Sequence, residues 1–117
     1  MCQISGALSD DDIVELAAHF AALPNKPAGE DFDAALAAEG ETIHKKDCGM
    51  CHGMDGPVVP ESSILHGQKM AYLRAAIKEY AAGKRDQLAP MQATISALTP
   101  EQTEAILNYY ASYRGAP

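Results

Sequence analysis

Apolar side chains recur at helical spacing in four stretches of the chain. Ile13, Leu16, Ala17 and Phe20 fall on one face of a segment from Asp10 to Leu23, the three-and-four spacing of an amphipathic helix. Ser9 with Asp12 three residues on reads as a capping box, and Pro24 stops the helix. A second helix is predicted from about Asp33 to Lys46, with Leu36, Gly40, Ile43 and His44 as its notable positions. A glycine at mid-helix costs about 1 kcal/mol relative to alanine, and that cost makes sense if another helix crosses closely at Gly40. A third runs from about Gln68 to Ala82, with Tyr72, Leu73, Ala76, Ile77 and Tyr80 inward and Gly83 ending it. The fourth runs from Pro100 to about Tyr113; Thr99 caps it, Pro100 takes the first helical position and Gln102 completes a second capping box. Pro24 to Gly29 reads as a hinge-like linker, residues 48–67 read as loop, and a second loop holds Pro90 and Met91.

Composition narrows the class. The 117 residues suffice for one compact domain and not two. Hydrophobic residues make up 47%, many of them alanine, with only two Phe and no Trp. That favours helices but leaves a thin core, and a chain this small often needs an extra staple. The formal charge of −7 argues against nucleic acid and against an anionic membrane face. Acidic residues crowd the first third (Asp10, Asp11, Asp12, Glu15, Glu30, Asp31, Asp33), while Lys69, Arg74, Lys78, Lys84 and Arg85 gather later. Two solvated faces and a docking surface for a basic partner both fit this pattern. No stretch is long and apolar enough to span a bilayer, so no membrane insertion is expected.

The chain also resembles itself. Met1 to Leu23 reads MCQISGALSDDDIVELAAHFAAL and Met91 to Tyr113 reads MQATISALTPEQTEAILNYYASY. Met1 aligns with Met91, Leu8 with Leu98, Ser9 with Thr99, Phe20 with Tyr110 and Ala21 with Ala111. Either two capped, Ala-rich helices look alike by chance, or residues 1–23 are the tail of an earlier repeat of a tandem design.

Cys48-Gly49-Met50-Cys51-His52 carries the chemistry. Two cysteines at this spacing, followed by histidine, can form thioethers to the vinyl groups of a haem and place an imidazole on its iron. A zinc half-site would need a second pair of ligands, for which Cys2 alone is a poor candidate. A redox disulfide would want flanking strands, and none is apparent. A second axial ligand is expected from Met91, just ahead of the capped last helix; a thioether is a soft ligand that favours the ferrous state. Met50 lies inside the motif, Met54 is too close to it, Met70 opens a helix and Met1 is terminal. For His19, His44 and His66 packing is favoured, although His44 could touch the haem edge and His66 could bond a propionate. Cys2 is left over, either inert or a bridge to a second chain. Haem attachment to such a motif takes place outside the cytoplasm, so a periplasmic protein is expected, its leader removed before this numbering begins or the chain itself a fragment.

With Gly40, the Cys-x-x-Cys-His motif, Gly67-Gln68, Gly83-Lys84-Arg85, Met91 and Tyr109-Tyr110 in this order, the sequence resembles class I c-type cytochromes of the tandem-domain kind over nearly its whole length. Lys26 to Gly56, with Ser63 to Gln68 and Tyr72-Leu73, is similar to the second haem domain in the cytochrome subunit of flavocytochrome c sulfide dehydrogenase. The resemblance implies an all-α class I cytochrome c fold around one covalent haem c. It implies thioether bonds at Cys48 and Cys51, and axial ligands His52 and Met91. It divides the chain into residues 1–29, the last helix of a first haem domain plus linker, and residues 30–117, the cytochrome domain. It also implies a partner subunit carrying FAD and oxidising sulfide, and an acceptor cytochrome for the electrons. Where many class I cytochromes use a proline carbonyl to hold the haem histidine, this chain has Ser63, whose carbonyl can serve equally well.

The expected mechanism is outer-sphere transfer of single electrons with both axial ligands kept, in apolar packing from Ile43, Leu65, Ile77, Leu88 and Ile95. No acid–base pair or nucleophile is needed, so the chain is not expected to be an enzyme by itself. Besides a subunit of a sulfide-oxidising flavoenzyme, a free periplasmic electron carrier and a haem sensor or small peroxidase with an open iron site are the competing readings.

Overall fold

The computed structural model describes residues 2–24, 26–53 and 62–115, and only the backbone of Cys2 and Gln3. Every regular element among them is helical: α1 (Cys2–Ser5), α2 (Asp10–Ala21), α3 (Ala34–Ile43), a π-helical turn (His44–Cys48), α4 (Gly49–His52), α5 (Met70–Ala81), α6 (Ala89–Ala97) and α7 (Pro100–Ser112). The cytochrome-type helical fold expected from the sequence is the one observed.

The crossing of α3 with α7 carries the fold. Asp33 caps α3, its carboxylate accepting from the amides of Ala35 and Leu36. Thr99 and Gln102 close a reciprocal box at the start of α7. The two helices touch at Gly40, where an added methyl would collide with the Ala105 carbonyl and come within 2.9 Å of the Ile106 nitrogen. The close crossing predicted from that glycine is therefore present. Leu73, Ile106, Leu107 and Tyr110 form the buried cluster, with Ile43, Leu65, Met70, Ile77, Leu98 and Tyr109 packed against it. Burying side chains such as Ile106 and Leu107 stabilises by about 1.5–3 kcal/mol each.

A strap of extended chain then crosses this core. The Ala28 amide donates to Gly67 O at 2.8 Å, the Gly67 amide to Tyr110 O at 2.8 Å, and the Met70 amide to the Glu30 carboxylate at 2.6 Å. The Asp33 amide reaches Asn108 Oδ1 at 2.8 Å, and Arg114 donates to Glu30 O at 3.0 Å. From Pro27 onward the linker is bonded to the domain rather than free to hinge.

Several boundaries differ from the sequence reading. The second helix does not end near Lys46. It passes through the π-helical turn, where the Gly49 amide bonds back to His44 O, and continues to His52. Residues 48–52 are thus helical, not loop, while residues 54–61, with Met54, Gly56, Pro57 and Pro60, lie outside the described residues. Pro90 and Met91 open α6 instead of lying in a loop, because proline in a first turn removes a donor that had no partner there. Tyr72 is 52% exposed rather than inward, drawn to the surface under the Arg85 guanidinium, 5.8 Å from its ring centre.

α2 forms with its predicted capping box, yet nothing on it is buried. Ile13, Leu16, Ala17 and Phe20, the predicted stripe, all face solvent. Among the described residues no helix is long and apolar enough to cross a membrane.

Candidate functional site

The Cys-x-x-Cys-His motif borders a cavity of about 220 Å³. Cys48, Cys51 and His52 contribute one wall from the π-helical turn and α4, and Pro90 and Met91 another from the first turn of α6. Leu65, Ile77 and Ile95 line the interior, with Tyr110 beside them. The pocket opens to solvent beside Met50 and Cys51 and is lined mostly by apolar side chains with a few polar groups, the character of a cofactor site. The four residues singled out from the sequence all border it. Of the apolar positions expected around a haem, Leu65, Ile77 and Ile95 line the cavity. Ile43 instead packs on the core cluster beside it, and Leu88 stands 75% exposed ahead of α6.

The π-helical turn determines how the motif is presented. Its i→i−5 bond ends at the first residue after Cys48, inserting an extra residue into the turn, a distortion common at functional sites. α4 then lasts a single turn before Gly53, whose φ of 72° is left-handed backbone that glycine adopts without strain. That reversal ends the helix immediately after His52.

His52 is half-buried, and its Nδ1 donates to the carbonyl of Ser63 at 3.2 Å. A carbonyl only accepts, so the proton sits on Nδ1 and the Nε2 lone pair is left for a metal. This is the support expected of a proline carbonyl in related chains, supplied here by Ser63. Such an outer partner fixes the tautomer and raises the ligand's basicity.

The chemistry of the lining fits haem better than zinc. A structural zinc site needs four ligands, and the cavity lining offers Cys48, Cys51 and His52 with Met91 as the remaining candidate singled out from the sequence. Among the described residues no group of three or more His, Cys, Asp or Glu is placed to hold a metal ion. Two sulfurs, an imidazole with a free Nε2, and a thioether around an apolar hollow are the donor set for a covalent porphyrin.

The other histidines lie away from the cavity lining. His19 is exposed on α2, 5.3 Å from the Phe20 ring. His44 and His66 are buried behind the cavity, their rings 5.1 Å apart and edge-on, among Tyr109, Tyr110 and Tyr113. Neither lines the cavity. The Cys2 side chain lies outside the described residues. What sequence reasoning missed is the hydrogen bonding of His44, whose proximity to the motif was visible but whose partner Tyr110 is remote in sequence.

Comparison with known proteins agrees with this geometry. A family profile described as cytochrome c oxidase, cbb3-type, subunit III matches residues 35–109, which take in nearly all of α3, the motif, Met91 and most of α7. A cbb3-type cytochrome c oxidase subunit CcoP from Cereibacter sphaeroides is 59% identical over 29 residues, 25% of this chain and 10% of that protein. The matched stretch is thus a small part of its relative.

Proposed function

The chain belongs to the cbb3-type cytochrome c oxidase subunit III family of cytochromes, and from that premise we propose that it binds one covalent haem c through Cys48, Cys51, His52 and Met91 and relays single electrons without bond chemistry of its own. Electron transfer by a haem c domain is what membership of the family implies. The observation that carries the site assignment is the convergence of these four residues on one apolar cavity, with His52 held for ligation by Ser63.

Bound haem supplies a one-electron iron couple. The chain's residues do the rest. Cys48 and Cys51 would fix the porphyrin by thioethers, so it stays bound in both oxidation states. His52 would ligate through Nε2 while Ser63 holds its ring. Met91 would supply the thioether from α6, a separate wall of the cavity. Leu65, Ile77 and Ile95 exclude water, which disfavours the extra charge of the oxidised state and raises the potential. The 93% exposure of Met50 and the exposure of Cys51 mark the side where the cavity meets solvent, and one exposed haem edge suffices for transfer.

For the electron donor, the likeness of Lys26 to Gly56 to a flavocytochrome subunit supports a partner that oxidises sulfide on its own FAD, with a further cytochrome as acceptor, in the periplasm. A different donor and acceptor pair is favoured by the match to an oxidase subunit, in which case electrons arriving from another cytochrome would leave toward an oxidase. Residues 1–29 are read as the last helix of a haem domain of the same type plus linker, a reading supported by the repeat of residues 1–23 in residues 91–113.

Mass spectrometry of the mature protein tests the cofactor: one covalent haem is expected, and its absence ends the proposal. Met91→Ala tests the relay. It should lower the midpoint potential, remove the methionine-to-iron charge-transfer band and open the reduced protein to carbon monoxide. An unchanged spectrum and potential would exclude Met91 as ligand. Purification from the native source separates the partners, flavin alongside haem supporting the sulfide-oxidising subunit and a cytochrome c oxidase supporting the other.

A further inference from the structure

His44 stands where a buried aromatic side chain would pack with no polar obligations. It is completely buried and is bonded at both ring nitrogens. Its Nε2 bonds to the carbonyl of Gly53, and its Nδ1 lies 2.9 Å from the phenol oxygen of Tyr110. The Gly53 carbonyl can only accept, which puts the proton of His44 on Nε2. Neutral Nδ1 is then an acceptor, and the Tyr110 hydroxyl must donate to it. Burial keeps the imidazole in this neutral form by pushing its pKa below the ordinary histidine range. The same burial pushes the Tyr110 phenol up and keeps its proton in place. The result is a directed chain of two hydrogen bonds, from Tyr110 on α7 through His44 to the carbonyl of the residue after His52, with the Tyr110 oxygen also beside the Cys48 sulfur. Tyr110 also lines the cavity that holds Cys48 and Met91.

We propose that His44 is a positioning residue for electron transfer: it ties the backbone behind the iron-binding His52 to the Tyr110 phenol in the cavity wall, and through that tie sets the reduction potential. The inference rests on the haem reading given above. The physical reason is access. Gly53 follows His52 directly, and its φ of 72° is held against a buried wall. The Gly53 carbonyl is a strong acceptor in a dry place, and without its donor it would recruit water. Water behind the haem stabilises the oxidised charge, and slack in the residue after His52 loosens the ligand itself. Packing alone would need only a ring of this size, whereas two aimed hydrogen bonds constrain both position and polarity.

The test is a cycle of His44→Phe, Tyr110→Phe and the double variant in the haem-loaded protein, read by midpoint potential and visible spectrum alongside unfolding. His44→Phe keeps an aromatic ring and removes both bonds; Tyr110→Phe removes one oxygen, so it reports even where the first variant fails to load haem. Each single variant is expected to lower the potential, and the double variant no further than His44→Phe, because the changes break one chain rather than two. Unchanged potentials with lowered unfolding midpoints would assign His44 to packing alone and overturn the inference. Additive shifts would overturn the single-chain arrangement. Both failures leave covalent haem in the unaltered protein, which distinguishes them from failure of the functional reading itself.

Discussion

His44 also links the site to pH. It is fully buried and neutral, and burial holds its pKa below the ordinary value. The unfolded chain therefore binds a proton at this residue sooner than the folded one as the solution is acidified. Stability is fully present above the ordinary histidine pKa of about 6.5 and falls as pH drops from there toward the lowered value. Chemical unfolding of the haem-loaded protein between neutral pH and mildly acidic pH should show this loss, and His44→Phe should flatten it. A slope that survives the substitution would assign the acid sensitivity to another group. The residue scale is also where the sequence was most and least legible. Gly40 announced a close crossing because nothing but glycine tolerates the Ala105 backbone so near. His44 was legible only as a neighbour of the motif, since its hydrogen bonds run to Gly53 and Tyr110, and the Tyr110 partner is brought beside it only by the α3–α7 crossing.

At the scale of elements, capping chemistry was readable in advance and helix continuity was not. Ser9 with Asp12 and Thr99 with Gln102 form the boxes their spacing predicts, because a cap is a local hydrogen bond among three or four residues. The π-helical turn leaves no such local mark, since its i→i−5 bond uses ordinary backbone groups and any composition. Pro90 misled for a related reason: it reads as a breaker, but at a first turn its missing amide costs nothing. Tyr72 sat at the edge of an apolar stripe and turned outward to the Arg85 guanidinium, a choice that periodicity cannot resolve. α2 is the element whose existence and role come apart. Its cap and acidic first turn make it a helix, yet its apolar face is bare, so in this chain it adds little to the domain that follows. Removing residues 1–23 should change the unfolding free energy of the haem-loaded protein by no more than about 0.5 kcal/mol, as for changes away from packed features, and leave the spectrum intact. A larger loss in a denaturant titration would mean that α2 finds a partner surface on residues 30–117.

At the scale of the whole molecule, a small buried core lies beside the candidate haem cavity. The buried hydrophobic side chains are few and several are alanine, and they sit on one side of a hollow of about 220 Å³. A domain of this size buries a smaller fraction of its surface than a large one and has little stability in reserve. The α3–α7 crossing and the strap from Ala28 to Asp33 hold the frame, but α5, α6 and the attachment turn meet across the cavity. Ile77, Met91 and Ile95 line it with apolar side chains that a large apolar group would cover. The prosthetic group is therefore expected to be a structural partner as much as a redox one. Replacing both attachment cysteines, Cys48→Ser with Cys51→Ser, should give a chain that keeps much of its helical far-ultraviolet signal but loses fixed aromatic signals, binds a hydrophobic dye and unfolds without a sharp transition. The helices that persist should be those with strong caps, α2 and α7. A cooperative, dye-free unfolding transition in that variant would show that the protein frame closes on its own, and the cavity would then be a preformed receptacle rather than one shaped by what it holds.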